Sequence, residues 1–191
     1  MRAASCKYRH LNFVSFGLTS NLRLEISMEG IINYIALACS ALSLILDIVA
    51  LAIPNWISKS PLHYGLWKLC VLDECGDIST IYSLRGLQEP GHLIAAQALL
   101  IIGLIMVVVA IAMVVLKIFV MKDNAFLSVG ATVSASTGGI LILVGAIAFA
   151  AKEIKESGFT ADALSSGFAL AIVAGIFAII SGILFFVGKN K

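Results

Sequence analysis

The stretch PNWISKSPLHYGLWKLCVLDEC, residues 54–75, decides how the rest of the chain is read. It places Trp56 and Trp67, then Cys70 and Cys75, in one polar connection between two long apolar segments. Pro54 bars helix at the residue before it, so the first apolar segment must end there. Cys70 and Cys75 enclose four residues. A tight hairpin would bring their Cβ atoms to about 3.8 Å, the separation a disulfide needs. Closing so short a loop contributes only about 2 kcal/mol. Its expected role is to pin the register of a small sheet. The alternative is two free thiols. A paired-Cys loop belongs in an oxidising compartment, which puts this connection on the side away from the cytosol.

Outward from that stretch the chain is membrane protein. Hydrophobic residues make up 60% and charged residues 13% of it, with a mean hydropathy of +1.04. A soluble domain carries roughly 25% charged residues and has no core large enough for this much apolar surface. Residues 31–53, 93–116, 126–151 and 167–188 are apolar over lengths that cross a bilayer core of about 30 Å. Backbone groups in lipid must be satisfied within the segment, so each is expected to be a helix, the second continuing to about residue 121. The loops are then 54–92 and 152–166 on one side, with a short tail at 189–191. Four spans put both ends of the chain on one face. That face holds Arg2, Lys7, Arg9, Arg23, Lys117, Lys122, Lys189 and Lys191. The other holds Lys59, Lys68, Arg85, Lys152 and Lys155. The excess predicts cytoplasmic termini, as the Cys pair does independently. Met28-Glu29-Gly30 directly precedes the first helix. Residues 1–27 read either as lying ahead of the functional start or as a basic cytoplasmic arm on anionic lipid.

The net charge of +2 gives no footprint for nucleic acid. No Gly-rich phosphate loop, metal-ligand spacing or nucleophile motif is present, so neither a cofactor nor an enzyme activity is expected. In the first loop Tyr64–Leu72 and Ile78–Leu84 read as short β-type runs between turn residues. Trp56 reads as a residue of the membrane–water boundary. Trp67 reads as filling the underside of a strand layer above the helix ends. Asp47 falls roughly 13 Å below Trp56 along the first helix. An ionised Asp there costs about 2.5–3.5 kcal/mol, so a protonated side chain facing the bundle interior and bonded to Ser43 is expected. Gln97 is the one strongly polar residue of the second span before Lys117. Cys6 and Cys39 look unpaired. Small residues recur at spacing four: Gly130, Ser134 and Gly138, with Ala131, Ala135 and Gly139 beside them, and Gly167, Ala171 and Gly175, then Ala178 and Gly182. They imply either close packing within one bundle or a self-association face.

Trp56, Gly65-Leu66-Trp67, Cys70 and Cys75 together resemble the W…G-L-W…C…C pattern of the claudin family of tight-junction proteins. The wider group includes peripheral myelin protein and the calcium-channel gamma subunits. Ala52-Ile53-Pro54-Asn55-Trp56, Tyr82-Ser83-Leu84 through Ala95-Ala96-Gln97-Ala98-Leu99, and Gly138-Gly139-Ile140 through Phe159, which resembles the third helix and its extension into the second loop, carry the likeness over nearly all of 30–188. The resemblance implies an all-α membrane fold: a left-handed four-helix bundle topped by a small antiparallel sheet drawn from both outer loops. It implies a plasma-membrane protein of cell–cell junctions that polymerises in cis and trans with itself or related claudin-like chains. Such a chain forms a paracellular barrier or ion path. In the family the charge after the first Cys sets ion selectivity, which falls here on Asp73 with Glu74 adjacent. A second-loop aromatic takes part in adhesion, which falls on Phe159. The two Trp stand closer together than in claudins, as do the two Cys, and Gln97 replaces an Arg. The tail carries no Tyr-Val end for PDZ scaffolds, so no scaffold contact of that kind is expected. Two other readings compete: an auxiliary subunit of an ion channel or receptor, and a transporter built around Asp47.

Overall fold

The computed structural model describes residues 30–72, 74–88, 90–120, 125–157 and 163–188. Helix α1 spans Gly30–Ala52. Four short strands follow: β1 Ile57–Lys59, β2 Leu62–Tyr64, β3 Lys68–Val71 and β4 Glu74–Asp77. Then come a short helix, α2 Ile78–Leu84, and three long ones: α3 Gly91–Phe119, α4 Ala125–Ser157 and α5 Ser166–Val187. Helices α1, α3, α4 and α5 are long and apolar enough to cross a membrane. The chain is therefore a multi-pass membrane protein built as a four-span bundle with a small sheet.

The four strands form one antiparallel sheet in the order β1-β2-β3-β4. Its registers pair Ile57 with Tyr64, His63 with Cys70, and Cys70 with Cys75. An isolated bridge between Ile57 and Leu164 brings the connection before α5 onto the β1 edge. All four strands come from the first loop, and among the described residues the second loop joins the sheet through Leu164 at Ile57.

Two expectations about local structure fail. Ile78–Leu84 is helix, not strand. Asp77 is the extended residue that starts it, and only Ile78 of the seven is buried. A strand needs a partner on the open β4 edge, and among the described residues none is supplied. Gly86 closes the helix at φ 64°, a conformation that suits glycine, with its N–H on the Ser83 carbonyl at 3.1 Å. The apolar bound of 151 for α4 also fails, since the helix runs to Ser157, along the extension into the second loop that the claudin resemblance implies. Lys152, Glu153 and Lys155 are good helix formers. Glu153 also falls on the inward stripe Ile142, Ala146, Phe149, Glu153, all buried.

Small residues set the bundle's packing. A side chain on Gly139 would lie 2.7 Å from the Gly175 carbonyl oxygen of α5. One on Gly138 would lie 2.9 Å from the Gly103 carbonyl oxygen of α3. These glycines let neighbouring backbones touch, which is how helices gain contact where lipid supplies no hydrophobic drive. The stripes are therefore used inside the bundle. Large residues face outward instead, among them Ile101, Ile105, Val133, Ile140, Ile147, Ile176 and Ile183, all exposed toward the lipid. Helix α1 packs on α5: the Ser43 hydroxyl donates to the Ala174 carbonyl at 2.8 Å, and Ser40 pairs with Ser181.

Gly139→Ala is expected to destabilise the bundle by about 1–3 kcal/mol, because neither backbone can retreat. Gly91→Ala, with nothing within 4 Å, should be neutral or better. Thermal unfolding of the two variants in detergent checks the contrast.

Candidate functional site

The sheet end of the bundle gathers the residues that the sequence singles out. Helix α1 ends with unsatisfied carbonyls, as every helix does. The Ile53 N–H takes the Val49 carbonyl at 3.1 Å. Trp56 then folds its ring back, and its Nε1–H donates to the Ala50 carbonyl at 2.8 Å. The indole is wholly buried. It meets Phe149 of α4 edge-on at 5.2 Å between centroids, and Tyr64 of β2 stacks on the same Phe149 at 5.9 Å. A side chain on Gly167 would collide with the Trp56 ring.

Backbone bonds complete the junction. The Trp56 N–H takes the Tyr64 carbonyl at 3.0 Å, and the Trp56 carbonyl accepts from Ser165 N–H at 2.9 Å. The Asn55 carbonyl accepts from Gly167 N–H at 2.8 Å. One residue therefore ties α1, the sheet and the start of α5 together, with α4 beneath.

The underside of the strand layer, expected for Trp67, is filled by the other Trp. Trp56 fills the underside of the strand layer, together with Tyr64 and Leu66. Trp67 is 42% exposed. The reason lies in the turn. Gly65 sits against Pro54, where a Cβ would come within 2.6 Å of the Pro54 Cα. That contact points Leu66 into the core and leaves the next residue outside. Gln97 of α3 donates its side-chain N–H to the Leu66 carbonyl at 2.7 Å. Gln97 thus reaches the loop rather than lying isolated within the span.

Cys70 and Cys75 form a disulfide, with Cα atoms 4.0 Å apart at paired positions of β3 and β4. Between them Leu72 turns at φ 51° and is 74% exposed, its N–H on the Pro61 carbonyl at 3.2 Å. Glu74 is exposed beside it. Asp73 and Phe159 lie outside the described residues, as does Cys6. A groove of about 700 Å³ opens between β3–β4 and α2, lined in part by Leu69, Val71, Leu72, Glu74, Ile81 and Arg85. Among the described residues it holds one carboxylate and one guanidinium, with apolar side chains between them.

Two deeper features complete the inventory. His92 and Glu153, both largely buried, meet at 3.0 Å between Nε2 and Oε1. They latch the start of α3 to the extension of α4. Sequence reasoning missed this pair. The available signal was Glu153 falling in the inward stripe of α4. Asp47 is buried within the bundle, as expected, but Ser43 bonds to α5 rather than to it. Cys39 is a free thiol, partly exposed. Among the described residues no group of three His, Cys, Asp or Glu could hold a metal ion.

Trp56→Ala is expected to cost about 3–5 kcal/mol, the cost of deleting a large buried aromatic. Trp67→Ala should change stability by no more than about 0.5 kcal/mol, as for other surface positions. Equilibrium unfolding followed through the disulfide's accessibility to reductant separates the two.

The family model described as PMP-22/EMP/MP20/Claudin family matches residues 30–185. No individual curated protein matches the chain. The family match spans most of the chain, and the chain belongs to that family.

Proposed function

We propose that this member of the PMP-22/EMP/MP20/Claudin family is a structural protein of cell–cell contacts. It holds neighbouring membranes together and biases the gap between them toward cations. The observation that carries this reading is the sheet itself. Trp56 fixes it rigidly to the bundle, and its β3–β4 tip is closed by Cys70–Cys75. With cytoplasmic termini, as loop charge and the disulfide both favour, that tip projects into the extracellular gap. The chain then associates with like chains, in its own membrane and across the gap. Phe159 is assigned to the second contact.

Glu74 is exposed at the tip, and Asp73 precedes it in sequence. Two carboxylates beside a narrow aqueous path raise the local cation concentration and repel anions. Arg85 lines the same groove as Glu74 and offsets part of that field, so the bias is moderate.

Dilution potentials across an epithelial monolayer test the charge mechanism. Asp73→Asn with Glu74→Gln is expected to lower the cation-to-anion permeability ratio by about two- to three-fold per charge. That is the effect on the ratio of a unit charge roughly 7 Å away in water once a Debye length of about 8 Å screens it. An unchanged ratio, in a variant still present at contacts, rules the mechanism out. The junction reading itself rests on location. The chain alone, in non-adherent cells, should gather where cells touch. Even distribution with co-purification of one large channel would instead favour the auxiliary-subunit reading.

A further inference from the structure

Trp67 is 42% exposed, and the turn that carries it sits low on the bundle. Two helices fix that level independently. Gly65 packs against Pro54, just beyond the end of α1 at Ala52. The Leu66 carbonyl accepts from Gln97 at 2.7 Å. Gln97 lies well inside α3, about 9 Å along the axis from Gly91. Leu66 itself packs into one cluster with Leu93, Ala96 and Leu100 of α3. The β2–β3 turn therefore reaches below the start of α3, while the Cys-closed tip lies at the far end of β3.

The length of α3 shows what lies at that level. Its 29 residues span about 43 Å, more than a bilayer core of about 30 Å. Lys117 stands in the last turn and donates to Ser128 at 2.7 Å, which marks a charged boundary at the α3–α4 connection. From Lys117 back to Gln97 is about 30 Å along the axis. The hydrocarbon therefore ends near Gln97, and the first turns of α3 stand in the headgroup layer. Ile94, Gln97 and Ile101 fall at i, i+3 and i+7, on one stripe of the helix. Ile94 is 49% and Ile101 39% exposed, so this stripe meets lipid on either side of the bond to Leu66. From that edge Leu66 turns inward and Trp67 outward.

We propose that Trp67 is a membrane-interface anchor, its indole seated among the lipid headgroups on the sheet side of the chain's own bilayer. An indole suits that layer, because its ring is apolar and its N–H donates to headgroup and ester oxygens. The boundary role expected of Trp56 falls to Trp67, since Trp56 spends its N–H on the Ala50 carbonyl inside the bundle. The anchor seats the sheet directly on the bilayer. Strand β3 runs from Lys68 to Val71, roughly 13 Å at full extension. The tip closed by Cys70–Cys75 therefore rises no further than that above Trp67.

The chain has two tryptophans, so the emission of Trp67 is the difference between the full-length chain and its Trp67→Phe variant. Both are placed in nanodiscs whose phosphatidylcholine carries a doxyl quencher either near the headgroup or near the end of the acyl chain. The Trp67 emission is expected to lose most of its intensity to the shallow label, less to the deep one and little to aqueous iodide. Trp56→Phe keeps a ring in the buried site and reports Trp67 directly, which supplies the reading if Trp67→Phe does not fold. Strong quenching by iodide with no effect of either lipid label would overturn the anchor and leave Trp67 in the aqueous gap. Stronger quenching by the deep label would overturn it as well. Protection from all three quenchers would overturn it too and assign Trp67 to a protein contact.

Discussion

The buried N–H of Trp56 is the constraint on which the rest of the structure hangs. An indole donor has to be satisfied once it leaves water, and here the Ala50 carbonyl, a loose end of α1, satisfies it. The same bond that caps the helix turns the chain back over the bundle. It sets where β1 starts, which fixes the register with β2 and, through Tyr64, the stacking on Phe149. The connection before α5 then has only one edge to join, and Leu164 joins it at Ile57. A sheet of three- and four-residue strands has little core of its own. It borrows one from the helix ends.

Within the span the logic inverts that of a soluble core. Bulky β-branched residues face outward, and glycine, alanine and serine face in. Dispersion between touching backbones replaces hydrophobic burial as the source of cohesion. Polar groups in the interior are then few, and each matters. Serines pair across α1 and α5, Gln97 holds the loop, and His92 with Glu153 holds the α4 extension. Asp47 is the exception within this set, since its oxygens find no partner among the described residues.

Much of this is legible in the chain. The four spans follow from apolar length, and their order from short connections. The Cys pair gave its own register, because two cysteines with four residues between them close only a hairpin. Less legible were features whose cause is remote. Ile78–Leu84 reads as a β-type run, yet is a helix, and among the described residues no partner strand reaches β4. The extension of α4 depends on His92, sixty-one positions away in sequence. Ser43 has Asp47 within one turn, but its hydrogen goes to a helix whose position the local sequence does not encode.

Composition and spacing by themselves determined the membrane class, the number of spans and the loop that carries the disulfide, and the resemblance of the Trp–Cys motif pointed to the family. They could do so because hydrophobic length, proline and cysteine act locally and almost without context. Tertiary structure alone decided which Trp is buried, where the last helical turn of α4 ends and what each interior polar group bonds to. Trp56 and Trp67 are chemically the same residue. Only the close contact of Gly65 with Pro54, and the carbonyl left free at Ala50, make one the keystone of the sheet and leave the other at its surface.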